Sequence, residues 1–172
     1  MSAKRKQTKG LEKIYDYAWD KYTEQDIKDV FKFAEGYKEF MSLCKTEREC
    51  VREFIRQAES KGFKDLKAII SNGTSLKAGD KIYANNRDKT LALFVIGKQP
   101  MENGMRILGA HVDSPRLDLK QNPLYEDTGL AMLETHYYGG IKKYQWVAIP
   151  LAIHGVIVKK DGSVVNVVIG ED

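Results

Sequence analysis

The spacing of apolar residues changes near residue 70, and this change limits the folds that the chain can adopt. Over the first third of the 172 residues, apolar side chains recur three and four positions apart, which is typical of amphipathic helices. Beyond Ser71-Asn72-Gly73, short stretches rich in β-branched and aromatic residues follow one another, which is typical of strands. We therefore predict an α/β protein in which helices come first and sheets follow.

Helices are predicted at 11–22 and 24–43, and an apolar stripe on the second is expected to be buried. The stripe consists of Ile27, Val30, Phe31, Ala34, Tyr37, Phe40 and Met41. Thr46 and Glu49 form a predicted capping box for a further helix, because each side chain bonds the other residue's free backbone N–H. Gly62 is predicted to end that helix. Its buried face is predicted to comprise Val51, Phe54, Ile55 and Ala58.

Two strands are predicted at 81–84 and 90–96, joined by a turn at 85–88. The second strand is apolar on both faces, so we expect a sheet that is covered by helices. A third strand is predicted at 105–110, and it leads directly into a histidine.

A hairpin is predicted near the end of the sequence. Its strands fall within 147–158 and 164–169, and Asp161-Gly162 between them favours a tight turn.

Composition excludes several classes of protein. Apolar residues make up 42% of the chain and charged residues 30%, which excludes a mainly disordered protein. A chain of this length is able to bury about 70% of the surface of its unfolded form, which is enough for one full core or two small ones. The net charge is +4, but beyond the basic first ten residues Lys and Arg alternate with Asp and Glu. We therefore expect no nucleic-acid partner.

Targeting and compartment are predicted from three features. The longest uncharged run, between Lys143 and Lys159, is too short and too interrupted to span a bilayer, so no membrane association is expected. The first ten residues lead into an amphipathic segment, so we expect no secretory signal. Cys44 and Cys50 have no CxxC motif and no histidine nearby, which indicates reduced thiols rather than a zinc or redox site. A cytoplasmic location follows from these features.

The segment from Arg106 to Pro115 carries the chemistry that we consider most informative. A predicted strand runs into His111, and the carboxylate of Asp113 follows two residues later. An imidazole nitrogen binds Zn²⁺ well, and a nearby carboxylate commonly fixes the tautomer of a ligand histidine. The spacing alone is also compatible with a loop-capping aspartate beside an incidental histidine, so the residues by themselves leave both interpretations open.

Three segments in order resemble one known family. GAHVDSPRLDLK (109–120) resembles the His-Thr-Asp-Ser-Pro signature of the aspartyl aminopeptidase and vacuolar aminopeptidase I family, which are dinuclear zinc exopeptidases. Upstream, YANNRDKTLALFVIG (83–97) is similar to the family's Asn-Arg turn before an apolar strand. Downstream, ETHYYGG (134–140) and Trp146 are similar to its Tyr-Gly-Gly segment and the tryptophan that follows it.

The resemblance implies a site and a reaction. His111 corresponds to a metal ligand and Asp113 to the catalytic-site carboxylate that orients it. The implied reaction is zinc-dependent hydrolysis of the first peptide bond of a peptide with an acidic or neutral N-terminal residue. Two metal ions would polarise the carbonyl and activate a water while a glutamate shuttles the proton. The family's other ligands, a bridging aspartate, a glutamate, an aspartate and a second histidine, match no motif between Pro115 and Asp172.

The resemblance also implies a domain organisation. Residues 1–118 correspond to the N-terminal part of a zinc-exopeptidase catalytic domain, with helices around a mixed sheet. Residues 119–172 correspond to the beginning of an inserted β-rich domain through which subunits pair, and full-length members commonly form dodecamers built from dimers. Both domains are expected to be incomplete, so we expect the 172-residue chain alone to bind metal weakly and to be inactive.

The sequence departs from the family pattern at two places. Val112 replaces the usual threonine between the histidine and the aspartate, a change that conserves shape. Trp146 is followed by residues 147–150 in place of the Asp-Arg pair of many members, so no role of that pair is carried over.

The other histidines and the N-terminal aromatic residues are predicted to be structural. His154 lies in an apolar run, where a hydrogen-bonded position in a sheet or at a subunit contact is favoured over metal ligation. His136, beside two tyrosines, is assigned to packing or an interface. Four aromatic residues near the N-terminus are expected to pack as part of a helix rather than to stack on nucleic-acid bases. They are Tyr15, Tyr17, Trp19 and Tyr22.

Two other functional classes remain as alternatives. A non-catalytic, oligomerising interaction protein on the same scaffold would explain the missing ligands. Nucleic-acid binding through residues 1–10 is less favoured and predicts an affinity that falls steeply with salt.

Overall fold

A computed structural model describes residues 17–171 of the protein. Contacts divide them into two units, one that ends at Glu39 and one that begins at Phe40. Within these residues no helix combines the length and the apolar character that crossing a membrane requires.

Helix α1 spans Glu24–Leu43, as predicted. It begins with a reciprocal pair of bonds: Thr23 N donates to Asp26 Oδ2 (2.8 Å) and Asp26 N donates to Thr23 Oγ1 (3.2 Å). The predicted burial of its stripe is wrong for most of its residues, since Phe31 and Tyr37 are 62% and 60% exposed. The periodicity is that of a buried face, but within the stripe only Phe40 has a described ring contact, with Phe54 at 5.0 Å between ring centroids.

The helix predicted at 11–22 is wrong where it can be compared. Residues 11–16 lie outside the described part of the chain, and from Tyr17 onward only a 3-10 turn forms, at Ala18–Asp20. The bonds of Thr23 begin a new helix at Glu24, which separates the two segments.

Helix α2 spans Glu47–Ser60 and confirms the predicted capping box. Thr46 N donates to Glu49 Oε2 (2.9 Å), and Glu49 N donates to Thr46 Oγ1 (3.4 Å). The helix ends two residues before Gly62, whose φ of 84° suits glycine. Val51 and Ala58 are buried as predicted, whereas Phe54 and Ile55 are half-buried.

A mixed three-stranded sheet follows, in the order β1-β2-β3. Strand β1 (Lys64–Asp65) pairs parallel to β2 (Lys81–Asn86), and β2 pairs antiparallel to β3 (Thr90–Val95). Helix α3 (Leu66–Ser71) lies between β1 and β2 in the chain. The expected cover on both faces of β3 is wrong, because Leu93 and Val95 are 49% and 63% exposed. Helix α2 packs against this sheet, and no second helix covers β3 within the described residues.

Two hairpins contain the remaining strands of the described chain. In the first, β4 (Arg116–Asp127) pairs with β5 (Leu130–Tyr138). In the second, β6 (Ile153–Val158) pairs with β7 (Val164–Ile169) around the predicted Asp-Gly turn. The second hairpin is therefore confirmed.

The strand predicted at 105–110 is wrong. Residues 104–115 have no regular secondary structure, and Ile107 and Leu108 are 77% and 101% exposed. A strand requires a neighbour that satisfies its backbone groups, and no described residue pairs with this segment.

The core of the described residues is small. Only six apolar side chains are buried within residues 17–171. They are Cys44, Cys50, Val51, Ala58, Ile82 and Tyr83. Large apolar side chains remain exposed on each of the three sheets, so these residues form only a small core around α2.

Polar side chains of α2 reach all three sheets. Glu47 Oε1 lies 3.0 Å from Arg116 Nη1 on β4, and Arg48 Nη1 donates to the backbone oxygen of Arg87 (3.0 Å) at the β2–β3 turn. Glu49 Oε1 lies 2.8 Å from His154 Nδ1 on β6. Helix α2 is therefore the element that connects the sheets.

His154 has the hydrogen-bonded role that we predicted. Its side chain is only 10% exposed, and its Nε2 lies 3.0 Å from Glu171 Oε1, opposite the bond to Glu49. The hydrogen bond to Glu49 raises the pKa of His154 above its usual 6.5, although burial opposes the rise. Burial would raise the pKa of Glu49, but hydrogen bonds from His154 and from the backbone of residues 45 and 46 lower it overall.

The two shifts predict a pH dependence of stability. Because the pKa of His154 is raised on folding, its contribution is complete below pH 6.5 and is lost as the pH rises through the folded-state pKa. We expect the melting temperature of the native protein to exceed that of His154→Gln by more at pH 6 than at pH 8.5. A difference that is constant over this range would contradict the prediction.

Candidate metal centre

His111 and Asp113, the two site residues predicted from the sequence, are in contact. The Nδ1 atom of His111 lies 2.9 Å from the backbone oxygen of Asp113 and 3.1 Å from its Oδ1. Both neighbours are acceptors, because an ionised carboxylate and a carbonyl have no proton to donate. In the neutral imidazole, Nδ1 therefore carries the ring proton and Nε2 keeps a free lone pair.

The pair lies at the surface, in the irregular segment just before β4. The side chain of His111 is 83% exposed and that of Asp113 is 34% exposed. The hydroxyl of Tyr138 donates to Asp113 Oδ2 (2.7 Å), and this hydrogen bond is the main reason why the pKa of Asp113 is lowered. Asp113 is therefore ionised at neutral pH and is able to accept the Nδ1–H bond.

Tyr138 is the site residue that reasoning from the sequence missed. It ends β5, directly opposite Arg116 at the start of β4. The only signal for it was its position in the Tyr-Gly-Gly segment, since 25 residues separate it from Asp113.

Gly139 explains why the two motifs meet. Its φ is +74°, and a Cβ there would lie 3.4 Å from the Cα of Pro115. A side chain would therefore be strained by both the backbone conformation and the neighbour. The glycine lets the end of β5 approach the segment that carries His111.

The residues fit one position of a zinc site. A neutral imidazole with a free Nε2, whose Nδ1–H is held by a carboxylate, is the usual form of a zinc-ligating histidine. Between residues 17 and 171, no three His, Cys, Asp or Glu side chains lie close enough together to hold a metal ion. The described chain therefore offers one ligand and its orienting carboxylate, and it does not supply a complete set.

The other two histidines make no hydrogen bond to His111 or Asp113 within the described residues. His154 is bound to Glu49, and His136 is exposed, with Nδ1 3.2 Å from the backbone oxygen of Tyr137. The exposed side chain of His136 does not support a packing role within the described residues, and its role at an interface stays a prediction.

A comparison with protein families matches this chain to the M18 peptidases, described as aminopeptidase I zinc metalloproteases. The match covers residues 40–171 and so includes the candidate site. It covers more than half of the chain.

Relatives and solved structures agree with this match. A probable M18 family aminopeptidase 1 of Clostridium acetobutylicum is 65% identical over 162 residues, which are 94% of this chain and 35% of the relative. The crystal structure of aminopeptidase I from that species has a TM-score of 0.77 over 94% of this chain and 36% of its own. Aminopeptidase I from Borrelia burgdorferi B31 is 41% identical, with a TM-score of 0.82 over 90% of this chain and 37% of its own.

The chain spans about a third of the length of the curated relatives that it matches. The mixed sheet, the helices α2 and α3 that contact it and the structural matches agree with the predicted α/β zinc-exopeptidase fold. On the strength of the family match over residues 40–171, this chain belongs to the M18 family of aminopeptidase I zinc metalloproteases.

Proposed function

We propose that the chain forms part of a zinc-dependent aminopeptidase that removes N-terminal residues, acidic or neutral, from peptides. The observation that carries this proposal is the His111–Asp113 pair, with Nε2 of the imidazole free, in a chain of the M18 family. Relatives named as aminopeptidases support the same activity.

The residues of this chain would act by binding and orientation. Nε2 of His111 would hold a zinc ion, and Asp113 would keep the imidazole in the Nδ1–H tautomer and increase its basicity. Zinc, when bound, polarises a carbonyl and lowers the pKa of a water molecule. The family resemblance supports two ions in each site, with the remaining ligands and the proton-shuttling glutamate supplied by residues other than those described.

We also propose the domain division at residues 118 and 119, a homo-oligomeric assembly up to a dodecamer, and a cytoplasmic location. The resemblance supports the division, although β4 runs through the boundary. Exposed apolar residues on β5, such as Leu130 and Leu133 at 60% and 42%, would suit burial against other parts of the protein. The buried free thiols Cys44 and Cys50 suit a reducing compartment.

The alternative of a non-catalytic interaction protein is not favoured. The relatives that the chain matches are named as aminopeptidases. No observation on the described residues favours a second function.

Metal removal tests the proposed function. The experiment uses a polypeptide that contains this chain and has the length of its relatives, here called the full-length polypeptide. We expect zinc by elemental analysis and hydrolysis of aminoacyl p-nitroanilides, with acidic and neutral residues compared. Dialysis against a strong chelator should abolish hydrolysis, and added zinc should restore it. Hydrolysis that survives complete removal of metal would refute the proposal.

A further inference from the structure

We propose that Tyr138 is a positioning residue that holds the carboxylate of Asp113, and through it the imidazole of His111, in the orientation needed to bind a metal ion. The inference rests on the proposed function and adds to it a residue at the end of β5. It is carried by three features of the contact between the end of β5 and the segment before β4.

The first feature is the division of the two carboxylate oxygens. Oδ2 of Asp113 accepts the hydroxyl of Tyr138 at 2.7 Å, while Oδ1 faces Nδ1 of His111 at 3.1 Å. Because each carboxylate oxygen has its own partner, rotation of the Asp113 carboxylate would break the contact with Tyr138, with His111 or with both. If the hydroxyl is removed, one restraint on the carboxylate disappears and the imidazole loses a fixed acceptor.

The second feature is the support of the Tyr138 ring. The guanidinium carbon of Arg116 lies 4.2 Å from the ring centroid, which is a close cation–π contact. Arg116 is itself held by Asp118, at 2.7 Å from Nε, and by Glu47, at 3.0 Å from Nη1. The ring is therefore fixed by a cation that is anchored both on β4 and on α2.

The third feature is the backbone on either side. Arg116 and Tyr138 are paired across the β4–β5 ladder, and Gly139 brings the chain against Pro115. Both ends of the Tyr138–Asp113 contact are thus tied together through the backbone. The backbone pairing of the hairpin therefore places Tyr138 where its hydroxyl reaches Asp113.

Tyr137 offers a matched control. It is the preceding residue on β5, so its side chain lies on the opposite face of the hairpin. Its ring is contacted by Lys143 Nζ, 4.3 Å from the centroid, and its hydroxyl makes no hydrogen bond within residues 17–171. Phenylalanine at either position keeps the ring and removes only the hydroxyl.

The test compares Tyr138→Phe with Tyr137→Phe in the full-length polypeptide. Zinc affinity is measured by competition with a chelator, and kcat and KM are measured at limiting and at excess zinc. Partners that orient a metal ligand typically contribute 10- to 100-fold to affinity, so we expect Tyr138→Phe to bind zinc about 10-fold more weakly. We expect a lower kcat at limiting zinc, an unchanged KM and recovery at excess zinc. Tyr137→Phe should stay within about twofold of the native protein in every measurement.

The outcomes separate this inference from the proposed function. Native zinc affinity in Tyr138→Phe, together with loss of zinc in His111→Ala, would overturn the role of Tyr138 alone. Equal losses in the two tyrosine variants, with equal falls in melting temperature, would also overturn it, because a general structural effect would then suffice. Native zinc content and activity in His111→Ala would instead refute the proposed function, and this inference with it.

Discussion

Replacing His111 by alanine is expected to lower kcat/KM of the full-length polypeptide by at least about 1000-fold, which corresponds to about 4 kcal/mol of transition-state stabilisation. The reason is that His111 is the one histidine within the described residues whose Nδ1 is bonded to an orienting carboxylate while Nε2 is left for a metal ion. Zinc content should fall with the activity. Both are measured on one preparation, by elemental analysis and by hydrolysis of aminoacyl p-nitroanilides.

His136→Ala is the matched control for this experiment. His136 is also an exposed histidine, but among the described residues its ring hydrogen-bonds only to the backbone oxygen of Tyr137. We expect its zinc content and kcat/KM to remain within about twofold of native values, as is usual for surface substitutions. If both variants lost activity equally, loss of any exposed histidine rather than of a ligand would explain the result.

Replacing Glu49 by alanine is expected to lower the free energy of unfolding of the full-length polypeptide by about 3 kcal/mol. Loss of the cap accounts for about 1 kcal/mol. The remainder comes from the charge-assisted hydrogen bond to His154, whose side chain is 10% exposed and would lose its best partner. Denaturant unfolding followed by circular dichroism measures the change.

Two further variants identify the source of the Glu49 effect. Glu49→Gln keeps a capping side chain but removes the charge, so we expect an intermediate loss. Glu35→Ala breaks a surface ion pair with Lys38, in which both side chains are about two-thirds exposed, and should change stability by under about 1 kcal/mol. A loss below 1 kcal/mol in Glu49→Ala would show that the contact between α2 and β6 contributes little.

Features that depend on neighbours in sequence could be predicted. The capping box needs residues three apart, the Asp-Gly hairpin needs four or five, and both appear where they were expected. The contact between His111 and Asp113 is of the same kind, because the two residues are only two positions apart. The spacing did not decide whether the pair binds metal, and the family resemblance was needed for that interpretation.

Features that depend on distant partners could not be predicted. The apolar stripe of α1 and the segment 105–110 both have the pattern of buried elements, but a pattern does not reveal whether its partner is present. The Tyr138–Asp113 bond joins residues 25 apart on different elements, and its geometry depends on the register of β4 and β5. The bond between Glu49 and His154, which spans 105 residues, is of the same kind.

The exposed segment 105–110 has a consequence for handling the protein. It combines the large apolar residues Met105, Ile107 and Leu108 with a single charge, Arg106, and it has no proline. Short windows of this kind are prone to intermolecular strand pairing when they are uncovered, and a charge within them acts as a gatekeeper. Arg106 therefore protects solubility whenever this segment is uncovered, which makes it a poor choice for replacement by an apolar residue in any expression variant.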